Sequence, residues 1–206
     1  MKIEVIKPFG PTIVKLKIPN DIVNEMNNYA DDIINNEKKS EELNEGPRLA
    51  GNVSQEFLLD TDFMKKIDWA NFLGKICARW IKNENGRDLK NFKIIKSWIV
   101  RQFKNEYNPL HYHSGHISGV GYLKVPNILG STIQKDKKKN MNGKLELVEC
   151  TPKLLCSGNY IATPEVGDMY LFPNYLLHTV YPFTDTEEER RSVSFNAIID
   201  EPTASL

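Results

Sequence analysis

A chain of 206 residues that is 40% hydrophobic is long enough to bury one sizeable core, and its length is that of a single domain. Its 27 basic and 27 acidic side chains cancel, so no overall field draws it to nucleic acid or to an anionic membrane, and any binding must be local. Neither partner is expected.

The opening MKIEVIKPFG alternates charges and has no apolar stretch of signal-peptide length, and no later window approaches a membrane span. A cytoplasmic protein is therefore predicted. The three cysteines, Cys77, Cys150 and Cys156, form no CxxC pair and read as reduced thiols. One domain is expected over 1–206, with a strand and supporting helices to about residue 90.

The first helix is predicted in NDIVNEMNNYADDIINNEKK, where Ile22, Val23, Met26, Ala30, Ile33 and Ile34 share a face and Asn20 or Asp21 can cap. A second is predicted in TDFMKKIDWANFLGKICARWIKNENG. It opens at Thr61 or Asp62, carries Phe63, Ile67, Ala70, Leu73, Cys77, Trp80 and Ile81 as a stripe, and stops at Asn85-Gly86. Such a stripe reads as packing surface.

From about residue 91 to 200 the chain becomes short runs rich in β-branched and aromatic residues, separated by Gly, Pro and Asn: FKIIKSWIVRQF, ISGVGYLKVP, GKLELVE, GDMYLFP and RRSVSFNAII. Regular spacing of this kind predicts a sandwich or jelly roll, with the helices covering one face of its larger sheet. Residues 127–143, with a dense lysine run and no apolar period, read as a mobile loop.

Three of the four histidines fall within HYHSGH, at 111, 113 and 116, and the fourth is His178. On an extended strand His111 and His113 point the same way, so both can reach one ion, whereas His116 loses that alternation after Ser114-Gly115. His178, near another strand end, is the available third ligand, and imidazoles suit iron, zinc, copper or nickel. Twelve residues further on, RRSVSFN places Arg190, Ser192, Ser194 and Asn196 on one strand face. A guanidinium two positions from a hydroxyl is a compact carboxylate receptor. A one-residue slip would exchange Arg190 for Arg191. Trp98, Phe103, Tyr107, Tyr160 and Tyr175 are candidates to line a cavity, and Asn108 and Pro109 to shape the turn into the ligand strand.

The stretches GNVSQEF, NPLHYHSGHISGVGYLKVP, GDMYLFPNYLLHTVYP and RRSVSFNAII resemble the non-haem iron(II)- and 2-oxoglutarate-dependent dioxygenases, in particular the bacterial and phage members related to prolyl 4-hydroxylases. The resemblance implies a mainly β fold: a double-stranded β-helix, the cupin-like jelly roll, packed against the N-terminal helices. It further implies iron(II) held by His111, His113 and His178, with 2-oxoglutarate as co-substrate, its far carboxylate on Arg190, Ser192 and Tyr122, and dioxygen as oxidant. The implied reaction couples decarboxylation of 2-oxoglutarate to succinate with hydroxylation of a small-molecule or peptide substrate, a prolyl or other amino-acid residue among the options. One departure stands out, because His113 occupies the place of the usual Asp or Glu and makes the site one charge more positive. The alternative is a cupin-like metal-binding protein or a binding module without catalysis. Arg190 and Ser192 discriminate, since a plain metal site needs no dicarboxylate receptor.

Overall fold

The computed structural model of the chain describes residues 10–134, 136–151 and 153–200. The opening nine residues, read above as lacking a signal sequence, and Lys135 of the lysine run lie outside the described residues. Strand β1 (Val14–Lys17) leads into helices α1 (Asn20–Ile34) and α2 (Glu37–Leu43), a 3-10 turn at Gly46–Arg48 and strand β2 (Gln55–Leu58). Helices α3 (Thr61–Lys66) and α4 (Trp69–Asn85) follow. The remainder is β3 (Phe92–Gln102), β4 (Asn108–His111), β5 (Ile117–Lys124), β6 (Leu145–Val148), β7 (Asn159–Ala162), β8 (Asp168–Pro173), β9 (Leu177–Val180) and β10 (Arg190–Ile199). No helix among the described residues is long and apolar enough to cross a membrane.

The predicted helices form, with corrections at their ends. Pro19 occupies the cap position of α1, and neither Asn20 nor Asp21 caps by a side chain. Both lie inside the first turn, where the Asp21 charge favours the helix dipole. Val23, Met26, Ala30 and Ile33 form its buried face. The single second helix expected over residues 61–85 is two helices. The first opens at Thr61, as expected, and Asp60 caps it by accepting from the Phe63 N–H at 2.7 Å. The chain then breaks at Asp68, whose φ of 54° is left-handed. The break seats Trp69 in the core with no exposed surface, where its indole N–H donates to Ser97 Oγ at 3.1 Å. Gly86, with φ 73°, ends α4 in the left-handed conformation that glycine adopts without steric cost.

The strands form a six-stranded sheet ordered β1-β8-β5-β10-β3-β2 and a four-stranded sheet ordered β4-β9-β6-β7, all pairs antiparallel. From β3 onward the chain winds between them: β3, β5, β8 and β10 belong to the larger sheet and β4, β6, β7 and β9 to the smaller. This winding is the double-stranded β-helix. Among the described residues of 127–143 there is no strand or helix, and hydrogen bonds from Asn127 to Glu188 and from Ser131 to Asp185 tie the segment to the β9–β10 connection.

Period-two alternation gives the larger sheet two different faces. Ile99, Ile117, Leu123, Met169, Leu171, Val193, Phe195 and Ala197 point outward into a core shared with α1, α3 and α4. Val120, Tyr122, Tyr170 and Phe172 point inward and pack against Leu145, Leu147, Ala162 and Val180 of the smaller sheet. Within β10 the two adjacent arginines obey the same rule. Arg191 faces outward, 1% exposed, donating to Asp31 at 2.7 Å and the Asn27 carbonyl at 2.9 Å in α1, and to Glu189 at 2.6 Å. It bolts the sheet to the helix.

Two predictions follow from this packing. A Cβ on Gly119 would lie 2.8 Å from the Tyr170 carbonyl oxygen and 2.5 Å from the Phe195 ring, and the backbone oxygen cannot step aside. Gly119→Ala should therefore lower unfolding stability by roughly 1–3 kcal/mol, read as an earlier urea midpoint. Arg191→Ala breaks a buried ion pair and should cost about 3 kcal/mol in the same measurement, while leaving metal content unchanged because its side chain is on the helix side.

Candidate metal centre

His111 and His178 are directly paired across β4 and β9, so their rings meet on the inner face with centroids 4.2 Å apart. His113 lies just past the end of β4, two positions beyond the strand on which the sequence placed it. A second device holds it: its N–H donates to the Asn174 carbonyl at 3.1 Å, and the Asn174 side-chain amide donates to the His113 carbonyl at 2.9 Å. Its ring thereby comes within 4.9 Å of His111 and 4.8 Å of His178, centroid to centroid. The ligating nitrogens of all three lie within 4.8 Å of one another, close enough to hold one metal ion.

Outer hydrogen bonds orient the rings. Nδ1–H of His111 donates to the Pro109 carbonyl at 2.6 Å, and Nδ1–H of His178 donates to the Leu176 carbonyl at 3.0 Å. This leaves Nε2 of each free for the centre of the cluster, the arrangement that fixes a ligand's tautomer. Nε2 of His178 and Nε2 of His113 are already 3.1 Å apart. Burial pushes all three imidazoles below the usual histidine range, and for His113 (to about 4) and His178 (to about 3) neighbouring imidazole charge adds to the effect. At neutral pH they are neutral bases. His116 stands apart: its Nδ1 accepts from the Ile199 N–H at 3.0 Å and its backbone is tied to Ala197 and Asn174, which is structural work.

The cluster lies in a cavity between the two sheets. Arg190, Ser192 and Ser194 line it from β10, Trp98 and Val100 from β3, and Asn108 from β4. Asn108 thus sits in the ligand strand itself, not in a turn before it. Arg190 is 2% exposed; one guanidinium nitrogen donates to the Gly143 carbonyl at 3.2 Å while Nε has no partner. Desolvation pulls its pKa down. Its guanidinium carbon stands 5.2 Å from the Tyr122 ring centroid, and Tyr122 in turn is paired across the strands with Ser192. The Tyr122 hydroxyl is buried without a partner, and burial pushes it up to about 12. Asn196, the last residue of that face, bonds instead to the Ser118 hydroxyl at 2.8 Å.

Of the other aromatic candidates only Trp98 reaches the cavity, edge-on to the His113 ring at 5.7 Å. Phe103 lies under the Arg101 guanidinium, and Tyr107, Tyr160 and Tyr175 are exposed. Leu110 and Tyr112, which alternate with the ligand histidines, also project to solvent. Two contributors escaped the sequence reading. They are Asn174, which clamps His113, and Glu56 of β2. Glu56 is 1% exposed, lines the cavity, and has its carboxyl pushed up to about 7 by desolvation.

Residues 96–196 match the family model described as "Putative 2OG-Fe(II) oxygenase". No curated protein matches the chain. Among solved structures, a Pseudomonas putida prolyl-4-hydroxylase is similar at 14% identity and TM-score 0.58, covering 91% of each chain. A Trichoplax adhaerens prolyl hydroxylase, solved with a hypoxia inducible factor peptide fragment, is similar at 12% identity and TM-score 0.56, over 95% of this chain and 86% of that one. HygX from Streptomyces hygroscopicus, solved with nickel and 2-oxoglutarate, is similar at 10% identity and TM-score 0.52, over 90% of this chain and 81% of that one. At these identities the likeness carries the fold, and the family match carries the class. The match to the 2OG-Fe(II) oxygenase model spans residues 96–196, just under half of the chain, and the solved 2OG oxygenases share its fold.

Proposed function

We propose that this chain hydroxylates an amino-acid-type substrate, free or within a peptide, with His111, His113 and His178 holding iron(II) and Arg190, Ser192 and Tyr122 receiving the far carboxylate of 2-oxoglutarate. The observation that carries the proposal is one cavity lined by three neutral imidazoles and a buried guanidinium whose Nε has no partner. The donor set fits both groups: convergent imidazole nitrogens suit iron(II), and a desolvated cation with an orphaned donor is complete only when an anion meets it. When bound, iron and 2-oxoglutarate supply oxygen activation, with decarboxylation to succinate and transfer of one oxygen atom to a substrate C–H bond.

The residues of the chain position and exclude. Arg190 fixes the co-substrate's distal end, and the Ser192 and Tyr122 hydroxyls offer neutral donors beside it. The Phe172 ring, 5.0 Å from His178, and the edge of Trp98 keep water from the ligand nitrogens. Because His113 replaces a carboxylate, the three ligands bring no negative charge, so the ion's charge must be balanced by the co-substrate and by groups further out. Prolyl residues are a candidate substrate, supported by the prolyl hydroxylases among the structural relatives. A metal-binding module without chemistry has no use for Arg190 in this cavity.

Metal content tests the ligand set: His178→Ala should lose most of its bound first-row divalent ion at matched free metal, whereas His116→Ala should retain it. Retention in the first and loss in the second would overturn the assignment. The co-substrate site is tested by adding 2-oxoglutarate to the anaerobic iron(II) protein and following the visible metal-to-ligand charge-transfer band. Removing a buried charge-assisted pair costs on the order of 2–5 kcal/mol, roughly 30-fold to several-thousand-fold in affinity. Arg190→Ala should show that loss with iron content near normal. An unchanged affinity would move the carboxylate elsewhere.

A further inference from the structure

The same cavity holds one charged group that the proposed reaction leaves idle. Glu56 sits on β2 opposite Val100, at the inner face of the larger sheet, and is the one acid among the described residues lining the cavity. Its Oε2 is buried and has no hydrogen-bond partner. A carboxyl taken out of water without a partner is costly, and no cation among the described residues pairs with it directly. Lys96 lies near enough for its charge to favour the Glu56 carboxylate, but Lys96 and Arg48 both make their ion pairs with Glu45, at 2.6 and 2.9 Å. Glu56 is also no metal ligand, for the cluster of groups close enough to share an ion comprises the three histidines alone among the described residues.

The backbone keeps this carboxyl where it is. The Gly51 backbone runs close behind the acid, and a Cβ there would come within 3.1 Å of Glu56 Oε1 and 2.9 Å of Asn108 Nδ2. Across the sheet, Glu56 pairs with Val100, Val100 with Ser192, and Ser192 with Tyr122, forming one row through β2, β3, β10 and β5. Two strand spacings, roughly 10 Å, thus separate the acid from the hydroxyl of the carboxylate receptor. The cavity has an anion-receiving end at Arg190 and, at Glu56, an end whose carboxylate form receives donors.

We infer that Glu56 is a specificity-determining residue, which accepts hydrogen bonds from a cationic nitrogen, an amine or a guanidinium, carried by the molecule to be oxidised. The inference rests on the oxygenase reading, because it requires a second molecule beside the co-substrate. Charge supports it. Iron(II), the 2-oxoglutarate dianion, Arg190 and three neutral imidazoles leave one positive charge in the cavity, and the Glu56 carboxylate offsets the repulsion that an arriving cation would otherwise meet.

The test uses matched probes on the anaerobic iron(II)–2-oxoglutarate protein, read by perturbation of the charge-transfer band: propylguanidinium against propylurea, and propylammonium against propanol. Each cation should bind at least tenfold more tightly than its neutral counterpart. Glu56→Gln should bring that ratio close to one, and Glu56→Asp, which keeps the charge, should preserve a preference; thermal unfolding of both variants establishes that they fold. The inference is overturned if neutral and cationic probes bind alike, if none perturbs the band, or if the preference survives in Glu56→Gln. Absence of the band itself in the wild-type protein would instead bring down the oxygenase reading, so the two failures are separable.

Discussion

Strand β10 is hydrogen-bonded on both sides, to β3 and to β5, and so has no freedom to slide. That constraint governs the rest. With its register fixed, every second side chain is committed to the helix-backed core and the intervening ones to the space between the sheets. Two chemically identical neighbours, Arg190 and Arg191, end up with opposite duties: one is saturated by Asp31, Asn27 and Glu189, the other is left with an unpartnered nitrogen. A slip by one residue would also carry Val193 and Phe195 into the cavity and leave Ser192 and Ser194 under the helices, which makes the register energetically secure.

The smaller sheet contributes by a different route. Its strands are four residues long, too short for alternation alone to position three ligands, and the site relies on one cross-strand pair and one side-chain clamp. His111 and His178 are placed by the β4–β9 ladder, while His113 is placed by Asn174, whose own N–H donates to the His116 carbonyl. The turn into β9 therefore holds the segment carrying His113 at two points, which accounts for the convergence of the rings.

Much of this was legible because rare residues were concentrated. Four histidines, three in six positions, announce a site whatever the exact strand ends, and the spacing of Arg190 and Ser192 survives small errors of boundary. What escaped depends on distant chain segments. Glu56 looks like a surface acid until β2 is laid against β3, a pairing with Val100 across 44 positions. The break at Asp68 was hidden because the apolar stripe from Phe63 to Ile81 runs through it; only the seat of Trp69 beside Ser97 requires the helix to restart. The opening at Thr61 was legible but not its cap, because Asp60, Thr61 and Asp62 are all competent caps, and the choice falls to the direction in which β2 delivers the chain.

Strand β4 is an edge, bonded to β9 alone. Leu110 and Tyr112 stand on its outer side, 55% and 69% exposed, between and beside the histidines that face in. Neighbouring positions of one short segment thus answer to separate demands: the inward ones to coordination geometry, the outward ones to solvent alone. Changes at 110 and 112 meet less packing resistance than changes at the inward positions, so the rim of this cavity is free to vary while the histidine cluster a few ångströms away keeps its geometry.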